Sequence, residues 1–297
     1  MMTLTAPADG PLARRTSWLV IPAALLGGLV AYMVIGSVAS LVWMLLNGGS
    51  LSDLLDLPGG SIGLQALLGG NAVGLVLGLG LVGFLLARLD SSRPAVVLRL
   101  AKPRLGALAL SVVGLVALQP VVLWLGHLNS TLPMPEFIRS MEQQQLELIK
   151  WIVQGDGLLM VNLVLVAVVP GICEEVFFRG YIQRRAERSW GVAWGIAFSG
   201  IIFGVFHLRL TEALPLCALG LYMAYLVWCT GSIWVPITVH FINNAAALVQ
   251  GRISGEDMLE PTAIPWPWVL LGLVVFAGTI GLLHFKRHAV HGSDGLD

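Results

Sequence analysis

The sequence predicts an all-α protein, a polytopic membrane bundle of about eight transmembrane helices. Composition is the first observation behind this: 57% of the 297 residues are hydrophobic and only 11% are Asp, Glu, Lys or Arg. Mean hydropathy is +0.84, far above that of soluble domains. The second is periodic: apolar runs of roughly 20 residues, the length that crosses a bilayer, recur along the whole chain. Third, Lys and Arg are distributed unevenly between alternate loops, as in a chain threaded back and forth through a membrane.

The apolar runs cover residues 18–46, 61–86, 105–125, 158–178, 192–208, 214–229, 233–249 and 266–284. Arg14 and Arg15 precede the first, which is too long for the roughly 7–15-residue core of a signal peptide and reads as a membrane anchor. In the second, Gly70, Gly74 and Gly78 repeat every four residues on one face, a pattern that lets helices pack closely. Between the third and fourth lies 134–153, where Phe137, Met141, Ile149 and Ile152 sit at helical spacing among charged residues and glutamines. It reads equally as an amphipathic helix at the membrane surface and as a plain loop helix. The fifth run repeats the small-residue stripe with Gly200 and Gly204. The fifth to seventh runs are short, so a re-entrant segment among them is an open alternative.

Twelve basic residues fall on one side of this threading: Arg14, Arg15, Arg88, Arg93, Arg99, Lys102, Arg104, Arg184, Arg185, Arg188, Lys286 and Arg287. The other side has Arg139, Lys150, Arg209 and Arg252, together with Asp53, Asp56, Glu136, Glu142, Glu147, Glu256, Asp257 and Glu260. The expectation is therefore an integral membrane protein with both termini cytoplasmic. Formal net charge is zero, which argues against nucleic acid as a partner. Cys173, Cys217 and Cys229, an odd number within apolar runs, read as buried free thiols.

An ionisable residue inside a spanning helix costs about 2.5–3.5 kcal/mol on insertion scales and marks a functional site by default. Those within or at the edge of the apolar runs include Glu174, Glu175, Arg179, His207 and His240, all in the second half of the chain, and the amides Asn243 and Asn244 stand beside His240. Adjacent helical residues diverge by about 100°, so Glu174 and Glu175 face differently. Glu175 and Arg179, four apart, share a face and neutralise each other as a structural ion pair. Glu174, without a local counter-charge, has the environment of a general acid or base. If the helices on either side of Trp190 and Gly191 form a hairpin, Glu174 and His207 each stand about 16 residues from the turn and meet at equal depth. His240 and Asn244 share a face and can donate to one oxygen, the chemistry of an oxyanion site.

These groups fit hydrolysis of a peptide bond by a water activated between Glu174 and His207. They equally form a three-ligand zinc set of Glu174, His207 and His240 with an open position for water. The residues alone leave both arrangements open. The His-Glu-x-x-His, Gly-x-Ser-x-Gly and P-loop patterns are absent.

Glu174-Glu175-x-x-x-Arg179, Phe203-x-x-x-His207 and His240-x-x-x-Asn244, in this order on successive helices, resemble the motifs of the CPBP family of intramembrane proteases. That family includes the type II CAAX prenyl endopeptidases and the bacterial Abi proteins. The likeness spans about residues 158–250 and implies a helical bundle around a conical catalytic cavity open to the cytoplasm. It implies Glu174 as general base, His207 as its partner on the water, and His240 with Asn244 as oxyanion site. Glu175 and Arg179 would hold the architecture, and Phe203 would pack within it. The family's structural work favours a metal-free glutamate mechanism despite its older metalloprotease label, so the expectation is no cofactor, with zinc as the alternative. The implied division is 1–157 for N-terminal spans and the amphipathic segment, 158–250 for the catalytic core, and 251–297 for a last span and tail. The expected partners are the bilayer and a peptide or protein substrate, prenylated or otherwise membrane-associated. The alternative function is a non-catalytic immunity or peptide-binding membrane protein; a proton-coupled transporter is disfavoured because no interrupted helices pair between the two halves.

Overall fold

A computed structural model describes residues 7–50, 61–154, 159–254 and 263–292. Asp53, Asp56, Glu256, Asp257 and Glu260, counted above on the sparsely basic side, lie outside the described residues. The described chain is helical, and its one β-bridge joins Leu100 to Ser232. In order the helices are α1 (Ser17–Leu46), α2 (Ile62–Asp90), α3 (Leu105–Ser130), α4 (Glu136–Gln154) and α5 (Leu159–Trp190). Then follow α6 (Val192–Phe206), α7 (Ala213–Thr230), α8 (Trp234–Ser254) and α9 (Trp266–Gly292).

Every apolar run is a helix, and α4 is the amphipathic segment. Six helices, α1, α2, α3, α5, α7 and α9, are long and apolar enough to cross a membrane. Of the eight expected spans, the other two differ for physical reasons. α6 has only 15 residues, and α8 carries its length of 21 with His240, Asn243 and Asn244 along it. The outward faces are those of an integral membrane protein, with large apolar side chains exposed along the spans, such as Leu26 (65%), Val116 (64%) and Val274 (70%).

α5 is the central element, with Phe177, Phe178, Tyr181 and Ile182 each at 1% exposure or less. It continues past the apolar run to Trp190, and Gly191 at φ 87° turns the chain directly into α6. Two wide π-helical turns interrupt it, Val164–Val168 and Val176–Ile182. Such turns re-aim the faces that follow them and recur at functional sites.

Both glycine stripes are helix contacts. A Cβ on Gly74 would stand 2.6 Å from the carbonyl oxygen of Tyr32 in α1, and one on Gly200 would stand 2.6 Å from the backbone nitrogen of Leu221 in α7. Backbone cannot yield as a side-chain tip can. Gly74→Leu is therefore expected to force α1 and α2 apart and cost about 1–3 kcal/mol, read as an earlier midpoint in SDS unfolding.

One end of the bundle gathers the arginine-rich segments. Arg185 pairs with Asp90 and donates to Ser17 Oγ (3.1 Å) and to the carbonyl of Leu12 (2.9 Å). Arg99 pairs with Glu187, and its carbonyl accepts from the backbone of Ile233 (2.9 Å). The N-terminal segment, the α2–α3 connection, the end of α5 and the α7–α8 turn are thereby locked together. Among the thiols, Cys173 and Cys229 are buried as expected, whereas Cys217 is half-buried; all three are free.

Candidate active site

Four residues of α5 at intervals of four, Glu175, Arg179, Gln183 and Glu187, form a polar ladder along one buried face. Arg179 donates to Glu175 Oε1 (2.7 Å) and to the carbonyl of Gly220 in α7 (3.1 Å). One turn on, Gln183 donates to Glu187 (2.8 Å) and to the carbonyl of Ala224 (2.9 Å). Side chains of Glu175 and Arg179 are wholly buried. The ladder pairs groups that lipid would leave without partners, though Glu175 Oε2, Arg179 Nε and Gln183 Oε1 are buried without a hydrogen bond. Its spacing was visible in the sequence beyond Arg179, yet Gln183 and Glu187 escape notice there because they lie past the apolar run.

Glu174 points elsewhere, as the 100° step requires. Its Oε2 lies 3.9 Å from His207 Nε2, and the two side chains are 13% and 31% exposed. Both side chains keep some exposure, unlike Glu175 and Arg179, although Glu174 Oε2 itself is shielded from solvent. Within the protein Glu174 Oε2 makes no hydrogen bond. His207 is held by its other nitrogen, since Nδ1 lies 2.8 Å from the carbonyl oxygen of Phe203. A carbonyl only accepts, so Nδ1 carries the proton, and in the neutral ring Nε2 presents a lone pair toward Glu174.

The position of His207 is fixed by the end of α6. Immediately after it, Leu208 takes φ 54° and the chain turns away. Asn129 of α3 clamps the turn, donating to the carbonyl of Leu210 (2.8 Å) and accepting from the backbone of Leu214 (2.9 Å). Glu142 of α4 accepts from the backbone of Leu210 (2.5 Å) and Thr211 (3.2 Å). Sequence reasoning assigns Glu142 to a loop charge and does not single out Asn129, because a capping partner 70 or so residues away leaves no local pattern.

His240 of α8 makes a contact that its spacing did not foretell. Its Nδ1 lies 2.9 Å from Glu175 Oε1, so it joins the Glu175–Arg179 pair as a third member. Asn244, one turn further, donates to the carbonyl of Val166 in α5 (3.1 Å). Asn243 links it to α3: Gln119 donates to Asn243 Oδ1 (3.2 Å), and Asn243 donates to Asn244 Oδ1 (3.4 Å). Gln119 is a further residue without a sequence signal. Phe203 sits between the clusters, 2% exposed. The Arg179 guanidinium stacks 4.2 Å above its ring, and both imidazoles meet the ring edge to face, with centroids 4.7 Å away for His207 and 5.7 Å for His240.

Glu174, His207 and His240, the alternative zinc set, are not gathered into one group in the structure. Among the described residues no three His, Cys, Asp or Glu side chains come together as a metal-binding group. The Nδ1 of His240 is turned to Glu175 and the Nδ1 of His207 to backbone, which leaves Nε2 of each as the uncommitted nitrogen; Glu174 and His207 form a pair.

Residues 156–246 match the family model described as type II CAAX prenyl endopeptidase Rce1-like. The chain is also 28% identical over 107 residues to a Bacillus subtilis (strain 168) protein named "Putative membrane peptidase YdiL". That likeness covers 36% of this chain and 44% of the relative, so less than half of the relative's length is spanned. No solved structure matches the chain. All the residues of the two clusters contributed by α5 to α8 fall inside the matched segment, whereas Gln119, Asn129 and Glu142 precede it.

Proposed function

From the match of residues 156–246 to the type II CAAX prenyl endopeptidase Rce1-like family model, we propose that this integral membrane protein is an endopeptidase of that kind, whose nucleophile is a water activated by Glu174 and His207. The observation that carries the reading is the facing of two acceptors 3.9 Å apart, a buried carboxylate oxygen of Glu174 and the imidazole lone pair of the partly exposed His207. One water can donate a proton to each and turn its lone pair toward a scissile carbonyl. Glu174 takes the proton as the oxygen attacks, and returns it to the leaving amine when the tetrahedral intermediate collapses.

The oxyanion falls to His240 and Asn244. With Nδ1 of His240 held by Glu175, Nε2 is the nitrogen left for the substrate, and it donates to the oxyanion when it carries a proton. Glu175 is thereby a positioning residue for His240 as well as the partner of Arg179. Asn244 uses one amide hydrogen on Val166 and has the second for the substrate oxygen, with Gln119 and Asn243 fixing its plane.

The substrate class is a peptide held at the membrane, prenylated or otherwise membrane-associated, and the membrane is the bacterial cytoplasmic membrane with both termini on the cytoplasmic side. The test is cleavage of a quenched fluorescent peptide library, half of it C-terminally prenylated, by purified protein in detergent. Cleavage confined to the prenylated half would assign lipid recognition to the enzyme; no cleavage in either half, by folded protein, would sink the reading and leave a peptide-binding role. Since Glu174, His207 and His240 do not converge as a ligand set, hydrolysis is expected to survive exhaustive chelation. Loss with chelator and recovery with added zinc would reverse that expectation.

A further inference from the structure

We propose that the arginine-rich end of the bundle binds one anionic phospholipid of the adjacent leaflet, its phosphate on Arg15 and one acyl chain in the groove between α1 and α2. Three cavities meet at Arg15. One of about 480 Å³ is an apolar groove walled by Leu19, Ala23, Ala24 and Gly27 of α1 and by Val82 and Leu86 of α2, with Arg15 at its mouth. A second, of about 520 Å³, is a polar cleft containing Asp9, Arg14 and Arg15. The third, about 480 Å³, runs from Arg15 and Trp18 to Arg188 and Trp190 at the end of α5. Arg15 is exposed, while Arg185 and Arg188 beside it are turned to Asp90. Asp9, the acidic group of the cleft, is engaged by Ser92, whose hydroxyl and backbone N–H donate to it at 2.6 and 2.8 Å and hold its carboxyl below the usual carboxylate range.

The dimensions select a chain rather than a compact ligand. From the start of α1 at Ser17 to Gly28 at the far end of the groove, the helix rises about 17 Å at 1.5 Å per residue, close to the ~15 Å hydrocarbon depth of one leaflet. An apolar groove alone confers no selectivity in a bilayer, because lipid tails are as apolar as the groove. A second lipid-facing groove, about 380 Å³ between α3 and α9, is lined by Val113, Val116, Trp268, Leu271 and Val275 and has no charged residue. The α1–α2 groove differs in ending at a guanidinium, in a basic pocket between helices of the kind that takes anionic head groups. The site is independent of the hydrolytic reading, since none of its residues belongs to the clusters around Glu174.

The test is native mass spectrometry of the full-length protein incubated in detergent with equimolar dioleoyl phosphatidylglycerol and dioleoyl phosphatidylcholine. The expected result is a one-lipid adduct enriched about fivefold in phosphatidylglycerol, the preference conferred by one arginine near the surface. Arg15→Gln abolishes the enrichment, and Arg93→Gln, outside the three cavities, leaves it intact. Nothing lies within 4 Å of a Cβ built on Gly27. Gly27→Phe therefore fills the groove without displacing backbone and lowers retention of both lipids. Equal retention of the two lipids by wild type overturns the proposal, as does selectivity unchanged in Arg15→Gln. Equal loss in Arg93→Gln would make the preference one of diffuse charge and also overturns it. A groove retaining neither lipid, covered by the chain's own N-terminus or a second copy, counts equally against it.

Discussion

Glu174→Gln is expected to lower the rate of peptide hydrolysis by about 10²- to 10⁴-fold, the contribution of a positioned general base, while the protein remains folded. The substitution keeps the shape of the side chain and removes its ability to take a proton. Folding should be little affected, because Glu174 is partly exposed, and its nearest charged neighbour, His207, is 3.9 Å away rather than in a direct hydrogen bond. Turnover of a cleaved library peptide and the thermal midpoint in detergent would be measured together. Retained turnover would remove Glu174 from the role of base. Loss of both activity and folding would make it structural. Glu175→Gln is the informative contrast: the adjacent carboxylate is wholly buried between Arg179 and His240, so its loss should register first in stability.

Arg179→Met should produce the largest fall in stability, about 3–5 kcal/mol, because it strands a carboxylate inside the protein. Arg179 and Glu175 are 2.7 Å apart with both side chains at 0% exposure. The arginine also donates to the carbonyl of Gly220 and stacks on Phe203, so three contacts disappear with it. The partnered double substitution, Glu175→Gln with Arg179→Met, removes the uncompensated charge and should recover much of that loss. SDS or thermal unfolding of the two single variants and the double completes the cycle. A single Arg179→Met variant that unfolds with wild type would show that the pair is not isolated from water. His240 offers an internal check: its Nδ1 lies against Glu175, so its imidazole chemical shift should follow Glu175→Gln more than Glu174→Gln.

Interactions closed within one helix were legible in the sequence. The spacing of Glu175 and Arg179 puts them on one face whatever surrounds the helix, and their pairing is what the structure contains. The hairpin at Gly191 was also accessible, because equal residue counts along two antiparallel helices give equal depths; Glu174 and His207 are indeed neighbours. By contrast, the partner of His240 was not readable. Residues 240 and 244 share a face, but which neighbour that face meets depends on the rotation of α8 about its own axis, which packing sets. The structure turns Nδ1 of His240 to Glu175 and Asn244 to Val166.

The sequence by itself therefore determined the solvent, the helices, the small-residue seams and the identity of the buried ionisable groups. Each follows from chain-local quantities: hydropathy over about 20 residues, a 3.6-residue period, and the cost of charge in hydrocarbon. Tertiary structure alone decided which of those groups face one another. It also recruited Gln119, Asn129 and Glu142 from the first half of the chain to fix Asn244 and the turn after His207. These are polar contacts between helices distant in sequence, whose formation requires every intervening helix to be packed, so no segment encodes them on its own.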